Sequence, residues 1–114
     1  MCQFKILKKS TNGILLFCEY SNMFQLSYKN ILLDLSSFEL LEFTKYLKKI
    51  DCVYWEHEYV NSIYEKKIPI PTVQKNLILM MNVSEIEETL YLLDNFKNYQ
   101  FLKGDQIDYK LVLN

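Results

Sequence analysis

Apolar and polar positions along this chain repeat one pattern twice, in "KNILLDLSSFELLEFTKYLKKI" from Lys29 and in "KNLILMMNVSEIEETLYLLDNF" from Lys75, 46 residues further on. At that offset Lys29, Asn30, Leu33, Glu39 and Leu47 face Lys75, Asn76, Leu79, Glu85 and Leu93. Each copy predicts a short strand, over residues 30–35 and 76–81, followed by a helix. Ser36 with Glu39 forms a capping box and Asn82 with Glu85 offers the related pairing, in which an N-cap oxygen and the carboxylate three residues on satisfy free helix amides. Beyond the caps, Leu40, Phe43, Leu47 and Ile50 recur at helical spacing, as do Ile86, Leu90, Leu93 and Phe96. Glu42, Lys45, Lys49, Glu87, Glu88 and Asp94 fall mainly elsewhere, so both helices are predicted to be amphipathic.

The strands alternate less cleanly. Ile31, Leu33 and Leu35 mark one face, but Leu32, Ile78 and Met80 put apolar groups on the other, which then needs a cover. These three are the candidate interface residues. Upstream, Asn12-Gly13 predicts a type I′ hairpin joining strands over 3–8 and 14–19, and a third strand follows over 23–28. Residues 53–60 and 62–70 read as a matching pair of strands, with Pro69 and Pro71 at an edge because proline donates nothing to a ladder. Gly104-Asp105 leads into a closing strand over 106–113, where Ile107, Tyr109, Leu111 and Leu113 alternate with Asp108 and Lys110.

The expected fold class is α+β: an antiparallel sheet with two amphipathic helices, in two pseudo-repeated strand-strand-strand-helix units (about 1–50 and 51–103) plus the C-terminal strand. All of it fits one domain over residues 1–114. Two such units around a pseudo-twofold axis share one core, whereas one alone is marginal at this size. Chance matching in a biased composition is the competing account of the repeat.

Composition narrows the function classes. Half of the 114 residues are hydrophobic and 24% are charged, which excludes a disordered chain. No apolar run reaches the roughly 18 residues of a membrane helix. The opening alternation Met1 to Lys5 has no secretory apolar stretch, so a cytoplasmic protein with no membrane partner is expected. The formal charge of -1 supplies no net field toward nucleic acid. All 13 basic residues are lysine, which fits an AT-rich bacterial genome and disfavours a dedicated phosphate clamp, since arginine is the usual bidentate partner. Three widely spaced cysteines, Cys2, Cys18 and Cys52, predict reduced thiols rather than a disulfide framework.

The densest chemistry lies in "CVYWEHEYVNSIY", where Trp55, His57, Tyr59 and Tyr64 are candidate ligand-binding residues and His57 is the only histidine. No nucleophile is matched to it, so no catalytic residue is assigned and an aromatic stripe supporting the core is the commoner meaning. Cys2, Cys18, Cys52 and His57 could make a Cys3His metal site only by converging through the fold, since their spacing lacks the short pairs of structural zinc sites; no cofactor is expected. Lys66, Lys67 and nearby tyrosines could form a surface for single-stranded nucleic acid, but acids are as numerous as lysines and a solvated lysine face is the commoner meaning.

From Val53 onward, and most clearly at Tyr54-Trp55-Glu56 and Lys67-Ile68-Pro69-Ile70-Pro71-Thr72, the sequence resembles a family of small uncharacterised proteins of Bacteroidota with no assigned activity. The resemblance implies an early cysteine and a Cys-x-x-Cys pair near the end of the second strand. Cys2 and Cys18 fit that pattern, while Ser21 stands where the pair's second cysteine would be, which weakens any metal site the family pattern implies. The resulting expectation is a non-enzymatic module acting through protein contacts, as a homodimer and with a further, unidentified protein partner.

Overall fold

A computed structural model describes residues 3–93; Cys2, Asp94, Phe96 and the strand expected over 106–113 lie outside the described residues. The chain opens with a four-stranded antiparallel meander, β1 (Phe4–Lys9), β2 (Gly13–Cys18), β3 (Met23–Tyr28) and β4 (Ile31–Leu35), in the spatial order of the sequence. Two helices follow, α1 (Ser37–Lys49) and α2 (Cys52–Glu58). A two-stranded antiparallel sheet, β5 (Ile68–Pro71) with β6 (Ile78–Met81), then leads into α3 (Val83–Leu93). The fold is α+β.

Period-two patterning sets the faces of the large sheet. Leu15 and Phe17 of β2 pair with Leu26 and Phe24 of β3, which pair in turn with Leu33 and Leu35 of β4. This inner face is covered by α1 over β3 and β4 and by α3 over β1 and β2, and the two helices touch. Leu40 and Leu47 of α1 and Ile86, Leu92 and Leu93 of α3 are buried in one core with Ile68, Ile70 and Met81 of the small sheet. Each fully buried aliphatic side chain contributes roughly 1.5–3 kcal/mol relative to exposure.

Both predicted caps form. The Ser36 hydroxyl accepts from the Glu39 amide at 3.1 Å while Glu39 accepts from the Ser36 amide at 2.8 Å. Asn82 and Glu85 exchange the same pair of bonds at 2.8 and 3.0 Å.

Several expectations are corrected. Residues 53–60 are not a strand: α2 occupies Cys52–Glu58, so the described residues hold three helices rather than two. Aromatic and β-branched residues such as Val53, Tyr54 and Trp55 favour strands in general. Here Asp51 decides otherwise, since its carboxylate accepts from the Tyr54 amide at 3.0 Å as an N-cap immediately after α1 ends. Of residues 62–70 only the end, from Ile68, is strand, and it belongs to a second sheet rather than to a single one. The second half is therefore not a strand-strand-strand-helix unit; what recurs is a strand, a cap and a helix.

Gly13 has no positive φ, so the first hairpin turn is not type I′. The Ser10 amide instead donates to the Gly13 carbonyl at 2.9 Å. Gly13 is needed for closeness: a Cβ there would meet Leu92 Cδ1 at 2.7 Å and the Ser27 carbonyl at 2.9 Å. Cys18 is disulfide-bonded while Cys52 is a free thiol, which corrects the expectation of reduced cysteines. Strand register sets Cys18 opposite Phe4, a proximity that sequence spacing does not display.

Candidate functional site

The outward face of the four-stranded sheet carries an apolar patch. Register places Phe4, Cys18 and Met23 in one cross-strand row, Ile6, Leu16, Gln25 and Asp34 in the next, and Lys9, Ile14, Ser27 and Leu32 in a third. Ile6 is 63% exposed, Leu32 60% and Phe4 44%. A sheet with one solvated face ordinarily alternates apolar-in with polar-out. Here the outer positions of β1 and β2 are apolar almost throughout: Cys18 is buried, Ile14 and Leu16 are half-buried, and the neighbouring Phe4 and Ile6 stand in water. The apolar surface is contiguous on the β1–β2 side, with Leu32 at the opposite edge beyond Ser27, and exposed apolar surface of this kind marks interaction sites in soluble proteins.

Of the predicted interface residues, Leu32 belongs to this face. Ile78 and Met80 belong to the small sheet, where they pair with Pro71 and Pro69, Ile78 exposed and Met80 half-buried. The fold thus distributes the three over two sheets. Phe4 and Ile6 are masked in the sequence because β1, with three lysines in its six residues, reads as a solvated hairpin arm; their alternation with Lys5 is the signal that marks them.

The predicted ligand residues lie on and after α2. Trp55 stacks on Tyr59 with centroids 5.5 Å apart, Tyr54 meets Trp55 edge-on at 5.0 Å and Tyr64 meets Tyr59 edge-on at 5.5 Å. Helical spacing brings Trp55 and Tyr59 onto one side of α2 and turns the exposed His57 to another. Cys52, at the first turn of α2, is half-buried, and burial together with Asp51, Glu56 and Glu87 pushes its thiol pKa up. Among the described residues no group of three or more His, Cys, Asp or Glu side chains is placed to hold a metal ion.

A polar clasp around α3 was not visible in the sequence. Glu85 is 4% exposed, and its Oε2 accepts from Lys29 Nζ and from Lys66 Nζ, each at 2.6 Å. Burial acts to raise its carboxyl pKa, but the two ammonium groups and the Asn82 amide outweigh burial and hold it at about 2, against an ordinary 4.5. Lys29 reaches this site from the β3–β4 turn with φ 52°, a left-handed conformation that a lysine adopts at some cost.

One turn further along α3, Glu88 accepts from Asn12 Nδ2 at 3.0 Å, the Ser10 hydroxyl at 2.7 Å, the Asn12 amide at 2.8 Å and the Tyr28 hydroxyl at 3.0 Å. These bonds, led by the Asn12 side chain, hold its carboxyl at about 2. Burial, followed by the Glu88 bond, pushes the Tyr28 phenol pKa far up. The arrangement fastens α3 to two hairpin turns. Lys66, a candidate for nucleic-acid contact, is thus already engaged, and the neighbouring Lys67 ammonium donates to the Tyr64 carbonyl.

No helix among the described residues is long and apolar enough to cross a membrane. The comparison with known families matches residues 1–114, the whole chain, and the protein belongs to the family of unknown function DUF6686. No curated protein and no solved structure matches it.

Proposed function

We propose that this protein is a small non-enzymatic interaction module that self-associates, docking the outer face of its four-stranded sheet on the same face of a second copy. The observation that carries the proposal is the exposure of Phe4, Ile6 and Leu32 on a face whose central strand adds Ile14 and Leu16. Removing such a patch from water is favourable at about 25 cal/mol per Å². A twofold pairing, the commonest oligomeric symmetry, lets one patch serve as its own partner. The earlier candidate Leu32 stays in the interface; Ile78 and Met80 form a smaller apolar strip for a further protein. The Cys18 disulfide argues against the cytoplasm expected from the sequence, because disulfides are rare in the cytosol, so no compartment is proposed.

Sedimentation velocity across micromolar concentrations tests the reading. The expected result is a dimer that Ile6→Glu or Leu32→Glu converts to a monomer with unchanged circular dichroism and melting temperature, since both side chains are exposed. A wild-type protein that stays monomeric at high micromolar concentration overturns it.

A second reading assigns a small-ligand site to the ring string of Tyr54, Trp55, Tyr59 and Tyr64, of which Tyr54 and Tyr64 are about half exposed. Trp55 is the sole tryptophan, so its fluorescence reports directly on that surface. A ligand-induced change that Tyr59→Ala removes supports this reading; no change across a library of aromatic and cationic compounds eliminates it.

A further inference from the structure

The proposed self-association leaves open which way round two copies meet, and charge on the outer face decides it. We infer that the two sheets pack about a twofold axis parallel to their strands, with β1 of each copy over β4 of the other and Lys9 paired with Asp34 of the second copy at both rims. The inference rests on the reading that this face is the interface.

β1 and β4 are the two edges of the sheet. On the outer face the β1 edge carries Lys9 beside Ile6, and the β4 edge carries Asp34 beside Leu32; Lys9 and Asp34 are both exposed. Between them lie Ile14, Leu16, Ser27 and Gln25, and Gln25 Nε2 donates to Asp34 at 2.9 Å, fixing the carboxylate on this side. The face therefore carries one positive charge, Lys9, at one edge and one negative charge, Asp34, at the other, and is apolar toward β1 and β2.

Two in-plane twofold axes can bring such a face onto itself. An axis across the strands sets β1 over β1 and β4 over β4, so lysine meets lysine and aspartate meets aspartate, an arrangement that like-charge contact disfavours. An axis along the strands exchanges the edges, so each Lys9 approaches an Asp34. The two residues lie in adjacent cross-strand rows, roughly 7 Å apart along the strand, and packed sheets stand about 10 Å apart. An extended lysine stem and an aspartate carboxylate bridge that gap. The same exchange brings Ile6 of one copy over the strand that carries Leu32 of the other.

Charge reversal tests the orientation. Lys9→Glu creates two like-charge contacts per dimer, as does Asp34→Lys, so each variant alone is expected to dimerise roughly tenfold more weakly. Mixed together they restore both opposite-charge contacts, and native mass spectrometry with one variant isotopically labelled should show the heterodimer in large excess over either homodimer. If the wild type is a dimer but the mixture gives the statistical one-to-two-to-one distribution, the orientation is wrong while the interface reading stands. If the wild type is monomeric, or if Ile6→Glu leaves the dimer intact, the interface reading itself fails and the orientation with it. Unchanged melting temperatures of the two variants confirm that the mixture reads pairing rather than folding.

Discussion

Glu39 and Glu85 hold the same place in two helices of like design, each the third residue after an N-cap whose amide it accepts. Around Glu39 no further hydrogen bond or ion pair from the described residues is built: it is exposed, and α1 rests on its cap and on the burial of Leu40 and Leu47. Around Glu85 the fold has gathered Lys29 and Lys66, and one turn later Glu88 receives four hydrogen bonds from Ser10, Asn12 and Tyr28. One local device serves in α1 as a helix start and in α3 as a tertiary anchor. The difference shows that a capping box reports where a helix begins and says nothing of what its carboxylate will meet.

Breaking the anchor should therefore cost more than breaking the cap. Glu85→Gln removes the anion between two ammonium groups and should destabilise the protein by about 2–3 kcal/mol; this is below the usual cost of breaking a buried pair because both lysines are partly solvated. Urea unfolding measures it, and a loss equal to that of Glu39→Gln would erase the distinction between the helices.

Acid unfolding sharpens the same contrast. The folded state holds Glu85 at about 2 and the ordinary value is 4.5, so between these pH values the unfolded chain binds more protons. The stabilisation is present in full above pH 4.5 and is lost as pH falls toward 2. Glu85→Gln should flatten this part of the acid-unfolding curve, leaving the share of the similarly depressed Glu88.

Gly13→Ala probes the seat of α3 from the sheet side, where the added methyl would crowd Leu92 and Tyr28. An expected loss of about 2 kcal/mol follows from overpacking, read from the same urea experiment. Ser36→Ala, on the α1 side, should cost only about 1 kcal/mol, the typical value of an N-cap. The smallest change in global stability is expected from Tyr28→Phe, which removes one of the four bonds to Glu88. Its readout is faster amide exchange at Asn12, with α1 amides unaffected.

Much of the fold was legible in the sequence because its signals are short-ranged. The first four strands and both capping boxes depend on alternation, turn residues and pairs three positions apart, and all are found within a residue or two of their expected places. The candidate site was legible only in Leu32. Trp55, Tyr59 and Tyr64 do come together, but through a helix rather than the expected strand, and His57 is turned away from the stacked pair.

Local sequence sets where most of the helices and strands begin and which side of each is apolar, since backbone period and caps act over a few neighbouring residues. The tertiary structure alone decided which glutamate became a buried anchor, for Lys29 lies 56 residues from Glu85, and Ser10 lies 78 from Glu88. It also decided which apolar face stays in water. The two helices cover the inner face of the four-stranded sheet and none of the described elements covers the outer one, so Ile6 and Leu32 are left exposed by the packing of distant segments rather than by their own neighbours.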